Sequence, residues 1–131
     1  MNESGFSDEL DRFIAAEIQS LEQLEILLLL SGNPHKWWTA KGVYDVVKSS
    51  LPSVEGRLRD MTERQMLRRE VDSDSRFQFA PADEAIWRIV SELREAYKER
   101  SVKVVQAIYS KTPTPDGVQE FARAFRVRKD K

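Results

Sequence analysis

The apolar spacing of this chain is helical over most of its length and turns to simple alternation between Leu67 and Phe79. There Val71 is followed by Asp72-Ser73-Asp74-Ser75 and then by Phe77-Gln78-Phe79, which reads as two short strands joined by a turn. Alternation turns Phe77 and Phe79 toward the same layer. A chain of 131 residues holds about one domain, so the helices on both sides of this hairpin belong to a single folding unit with it.

Ahead of the hairpin, Ser7 precedes Leu10, Phe13, Ile14 and Ile18, the three-and-four spacing of one helical face. Ser20-Leu21-Glu22-Gln23 then forms a capping box, in which the serine oxygen and the Gln23 side chain each satisfy an orphaned backbone donor. The helix it opens carries Leu24, Leu27 and Leu28 and stops at Gly32-Asn33-Pro34, where glycine permits a left-handed cap and proline cannot continue the turn. Lys36-Trp37-Trp38 reads as a short strand, with one tryptophan toward the core and both serving packing. Thr39 caps a helix with Val43, Val46 and Val47 inward, and Ser49-Ser50-Leu51-Pro52 interrupts it. Ser53 is expected to cap the next helix, whose Val54, Leu58, Met61 and Gln65 share a face, with Leu67 closing the turn after it.

Beyond Pro81, Asp83 opens a long helical stretch to about Ser110, roughly 40 Å at the rise of an α-helix. Its apolar stripe Ile86, Val90, Leu93, Tyr97, Val104 and Ile108 is nearly heptad, interrupted at Arg100-Ser101. A stripe this long outruns one small core. Part of it should meet a second chain or the final helix, and a homodimer is the expected assembly. Lys111-Thr112-Pro113-Thr114-Pro115 breaks the stretch, and Asp116 to Gln119 boxes a last short helix with Val118, Phe121, Ala122 and Phe125 on one side.

Composition narrows the function. With 40% hydrophobic and 33% charged residues the chain buries a core and keeps a solvated surface. It has no cysteine, which excludes disulfides, thiolate metal sites and thiol nucleophiles. The lone histidine, His35, follows Asn33-Pro34 and reads as a solvent-facing loop residue; there is no second one for a triad or a metal site, and no glycine-rich phosphate loop. A binding protein without cofactor, metal or catalytic residues is expected. The longest apolar run, Ile26 to Leu30, is far too short to span a bilayer, and the acidic start lacks the basic front of a signal peptide, so the expected compartment is the cytoplasm. Residues 1–34 carry one base against seven acids, a net −6, whereas residues 35–79 carry +2 and residues 80–131 carry +3. An anionic partner would meet the middle or the tail.

The order helix, short strand, helix, helix, hairpin from Ser20 to Pro81 is that of a winged helix, in which the second short helix enters a major groove and the hairpin grips the flanking backbone. Over this half of the chain, Ser20 to Leu30 followed by Trp38-Thr39-Ala40, Leu58 to Leu67 and Phe77-Gln78-Phe79-Ala80-Pro81 resembles bacterial winged-helix transcriptional regulators. The stretch Glu99 to Tyr109 and Phe121-Ala122-Arg123-Ala124-Phe125 resembles a poorly characterised branch of them. One departure stands out: Gln65-Met66-Leu67 occupies the place where such domains commonly carry a glycine before two aliphatic residues, which should alter the turn into the hairpin.

The expected fold class is therefore mostly α with a small β-hairpin: a winged helix-turn-helix in residues 1–81, then a long C-terminal helix and a final short helix in residues 82–131 that serve dimerisation. The resemblance implies a sequence-specific, homodimeric regulator of transcription that binds double-stranded DNA. With Val54, Leu58 and Met61 inward, Gly56, Arg59, Asp60 and Glu63 face out, flanked by Arg57 and Arg64. Arginine suits both guanine and phosphate, whereas Asp60 and Glu63 repel phosphate. Near the hairpin, Arg68, Arg69 and Arg76 are the stronger electrostatic group, offset in part by Glu70, Asp72 and Asp74. The full set of expected DNA contacts is Thr39, Lys41, Ser53, Gly56, Arg57, Arg59, Arg64, Arg68, Arg69 and Arg76. The acids on the same face motivate the alternative, a winged-helix module that binds another protein instead.

Overall fold

Small polar side chains set the helix starts, as their spacing in the sequence suggests. In a computed structural model that describes residues 6–71 and 75–109, helix α1 (Asp8–Glu17) begins at Ser7, whose Oγ accepts from the Leu10 amide. Helix α2 (Leu21–Ser31) begins at Ser20 and α3 (Ala40–Val47) at Thr39, each accepting from an amide three residues on. Each such cap contributes about 1 kcal/mol. Gln23, wholly buried, takes the amide one residue before the cap instead of that of Ser20: its Oε1 accepts from the Gln19 amide at 2.8 Å and its Nε2 donates to the Glu17 carbonyl at 2.6 Å, so one side chain ties the end of α1 to the start of α2.

Two boundaries differ from the sequence reading. Helix α4 (Leu51–Glu63) is capped by Ser50, not Ser53, and Pro52 sits inside its first turn. A proline there loses only an amide that has no helical partner, so what reads as an interruption is a start. Gly32 ends α2 in a right-handed conformation, not a left-handed one. The site is close for any larger residue: a Cβ would lie 3.0 Å from the Leu28 carbonyl oxygen and 3.1 Å from Arg94 Nη1, so these neighbours would have to give by a few tenths of an ångström.

Strands β1 (Trp38–Thr39), β2 (Leu67–Val71) and β3 (Ser75–Phe79) form an antiparallel sheet in the order β1-β3-β2, and β2 and β3 are the expected hairpin. Its tip, 72–74, lies outside the described residues. Phe77 and Phe79 are both buried, on one face with Leu67, as alternation requires. The turn from α4 into β2 is the glycine-type helix end with glutamine in the glycine's place. Gln65 has φ 68°, its amide donates to the Thr62 carbonyl, and the Met66 amide donates to the Met61 carbonyl. These are the two bonds of a Schellman cap, and its usual apolar contact is available from the buried Met61 and Met66. The missing glycine thus leaves the turn unaltered and places its cost in the backbone of Gln65.

The stretch read as one long helix is two, α5 (Glu84–Glu99) and α6 (Ser101–Tyr109). Arg100, at φ −140° and ψ 54°, leaves the helical region between them, and α6 packs on α1 as well as α5. Val90, Leu93, Val104 and Ile108 are therefore buried in the core of the same chain, while Ile86 and Tyr97 are half-buried against it. The stripe that appeared to need a second chain is covered by the chop of the helix at Arg100 and by the return of α6. Tyr109 at the end of α6 accepts from the Leu21 amide at 2.9 Å, and Arg94 of α5 donates to the Leu28 carbonyl and to Ser31, so α2 is held at both ends by the C-terminal helices. The last helix expected from Asp116 lies outside the described residues. Among those residues no helix is long and apolar enough to cross a membrane.

Candidate nucleic-acid interface

Helix α4 divides its charges between two faces. Val54, Leu58 and Met61 are fully buried, and at about 100° per residue Pro52, Glu55, Gly56, Arg59 and Glu63 fall within one outward arc of roughly 100°. Except for the half-buried Gly56, all of that arc is exposed.

The other basic residues of α4 are taken by acids of the N-terminal helices. Glu22, in the first turn of α2, accepts from Ser49, from Ser53 Oγ at 2.5 Å and from Arg57 Nε at 3.0 Å. Burial pushes its carboxyl pKa up, but these three hydrogen bonds and the Arg57 charge outweigh that and hold it below its ordinary value. Arg64, the C-cap of α4, donates to Glu17 at 2.8 Å, to Asp60 at 2.9 Å and to the Ala16 carbonyl at 3.1 Å. The Glu17 hydrogen bond, working against burial, leads the causes that raise its pKa and keep it charged. Ser53, Arg57 and Arg64, expected at a DNA surface, thus tie α4 to α2 and α1, and Asp60, expected outward, is the half-buried partner of Arg64.

The wing is likewise two-sided. Arg69 pairs in register with Phe77, and so lies on the inner face, with Nη2 donating to Ser75 at 3.0 Å and its guanidinium carbon 5.9 Å from the Phe77 ring centre. Arg68 and Arg76 lie on the opposite face, Arg68 5.9 Å from the Trp37 ring and Arg76 bonded to Glu70 at 2.5 Å. Trp38 is buried with Lys36 stacked 4.0 Å over its ring, whereas Trp37 is only half-buried.

These placements leave one open cleft of about 460 Å³ between the start of α3, the outward face of α4 and the inner face of the wing. It gathers Thr39, Lys41, Arg59 and Arg69 from the expected DNA contacts, together with Glu55 and Ser75, which the sequence reading did not single out. Glu55 was readable, because it stands one helical turn before Arg59. Lys41 bonds Asp45 at 2.9 Å, but both side chains are more than half exposed, and such a pair yields readily to a competing anion. Arg59 is in none of the ion pairs formed among the described residues. Gly56 adds a second feature, since a Cβ there would meet nothing within 4 Å. The fold itself does not require this mid-helix glycine. No cluster of three potential metal-ligating side chains occurs among the described residues.

No family model matches the sequence, and no curated protein matches it closely enough to count as a relative. Solved structures do resemble it. MepR, a transcription regulator of the Staphylococcus aureus multidrug efflux pump MepA, is 16% identical over 88% of this chain and 82% of its own, with a TM-score of 0.54. A complex of S. aureus MepR with DNA matches at 15% identity over 72% of this chain and 74% of that one, with a TM-score of 0.54. Bordetella bronchiseptica BpsR, whose DNA binding is regulated by 6-hydroxynicotinic acid, is 12% identical over 94% and 84% of the two chains, with a TM-score of 0.52. At such identities the likeness is one of architecture: this chain has a winged-helix fold similar to those of MepR and BpsR.

Proposed function

We propose that this protein is a sequence-specific, DNA-binding transcriptional regulator that acts as a homodimer in the bacterial cytoplasm, by binding and not by catalysis. The observation that carries the reading is the gathering of Lys41, Arg59 and Arg69 around the open cleft beside the outward face of α4. A phosphate at that cleft meets Lys41, Arg69 and the first amides of α3, at the positive end of its dipole, which leaves Arg59 on the outward face of α4 for the groove. Helix α4 then lies along the major groove with the wing against the adjoining backbone. The DNA complex of MepR and the regulated DNA binding of BpsR support this use of the fold. In this reading residues 82–131 supply the dimer contact. Because Val90, Leu93, Val104 and Ile108 are covered within the chain, the contact falls to exposed apolar residues of α5 and α6 such as Trp87 and Val102.

The exposed Glu55 and Glu63 favour a second reading, a module whose α4 face docks a basic protein surface. One experiment separates the two: genomic fragments are incubated with the purified protein at low salt, and the retained ones are sequenced. The DNA reading predicts a reproducible set with two-fold related half-sites and a dimer by light scattering. Retention of no fragment at low salt, where electrostatic binding is strongest, would establish the protein-binding alternative as the better account.

A further inference from the structure

We propose that the outward face of α4 selects G·C base pairs, with Arg59 taking a guanine and Glu55 taking the N4 amino group of a cytosine. This deepens the DNA-binding reading and rests on it. With Arg57 held by Glu22 and Arg64 held by Glu17 and Asp60, Arg59 is the guanidinium that α4 has left to offer a groove. Arginine spans the O6 and N7 acceptors of guanine.

Glu55 is exposed on the same face and lines the same cleft. At the i, i+4 spacing it could pair with Arg59, yet no ion pair closes between them. A carboxylate beside phosphates weakens binding unless it accepts from a base, and the cytosine N4 amino group is its natural donor in the major groove. Adenine is a poorer match, because its N7 acceptor adjoins the amino group and repels the carboxylate. Glu63 is exposed too, but it is the last residue of the helix and does not line the cleft that Glu55 and Arg59 share. Four residues of α-helix rise about 6 Å, close to two base steps of about 3.4 Å. The two G·C pairs therefore fall within three consecutive base pairs. Gly56 allows the helix backbone to approach that edge, since no side chain stands there.

The test is selection of bound duplexes from a fully random library, followed by titration of the winning sequence and its single base-pair variants. The expected site carries two G·C pairs within three positions in each half, and replacing either costs roughly 5- to 150-fold in affinity. Glu55→Gln should move the preference at the cytosine position to adenine, the base that glutamine reads. Glu55→Ala should bind random DNA more tightly while losing discrimination at that position alone, a pairing that a structural role would not produce. Bound sequences without that G·C pattern, or an unchanged preference in both variants, would overturn the inference while leaving DNA binding intact. Absence of any bound duplex at low salt would instead overturn the reading beneath it.

Discussion

Gly56→Ala should make this protein more stable and a poorer DNA binder. The first effect follows from the fold. Gly56 lies within the 13-residue helix α4, its missing Cβ would meet nothing within 4 Å, and alanine is favoured over glycine in a helix interior by about 0.8–1.0 kcal/mol. For a chain of this size about 1 kcal/mol corresponds to a rise in Tm of roughly 3–6 °C. The second effect follows from the outward arc that Gly56 shares with Glu55 and Arg59: a methyl group there holds the helix away from the groove and should weaken binding to the preferred site. Thermal and urea unfolding would be measured on both proteins, beside titration of a selected duplex. A destabilised variant would show that the fold itself needs this glycine. A stabilised variant with undiminished affinity would show that no partner approaches α4 at this point.

Replacing Gln65 by glycine should stabilise the protein by about 0.5–1 kcal/mol in urea unfolding, because relief of the left-handed strain at φ 68° exceeds the added entropy of the unfolded chain. Glu22→Gln should cost about 1–3 kcal/mol at neutral pH, since it weakens the hold on Ser49, Ser53 and Arg57. The Glu22 pKa is depressed by folding, so its contribution is complete above the ordinary value of 4.5 and is lost as pH falls through the folded value; the wild-type advantage should narrow below about pH 4.5 in acid titrations. Leu93→Ala should cost about 2–5 kcal/mol by calorimetry even under monomeric conditions, because Leu93 is fully buried within its own chain.

Local signals made much of the fold legible. The Ser20 and Thr39 caps, the role of Gln23 between the first two helices and the alternation of Phe77 and Phe79 depend on neighbours a few residues away, and the structure places them as that chemistry dictates, whereas the cap expected at Ser53 falls at Ser50. Long-range contacts were not legible. The interruption of the apolar stripe at Arg100-Ser101 was readable, but the end of the helix there was not, since neither proline nor glycine announces it and the packing of α6 on α1 joins residues far apart in sequence. Pro52 looked like a stop because its position relative to the cap, not its identity, decides its effect. Of the candidate site, Lys41 just after the Thr39 cap, Arg59 on the outward face of its helix and Arg69 in the hairpin were readable. The diversion of Arg57 and Arg64 was not, since their partners Glu22 and Glu17 lie 35 and 47 residues away in sequence. The acidic N-terminal quarter was the trace of it, as Glu17 and Glu22 of that stretch face α4.

The central claim is that Lys41 and Arg69 of the cleft, and not the cations tied to the N-terminal helices, meet DNA phosphates. Its most direct test is the salt dependence of binding to one retained fragment by the wild type and by Lys41→Ala, Arg69→Ala and Arg57→Gln. Each neutralised phosphate contributes roughly 0.9 to the slope of log affinity against log salt. The account predicts that Lys41→Ala and Arg69→Ala each reduce the slope by about that amount and that Arg57→Gln leaves it unchanged. An Arg57→Gln slope reduced as much as that of Arg69→Ala, or cleft variants that bind with the wild-type slope, would contradict it.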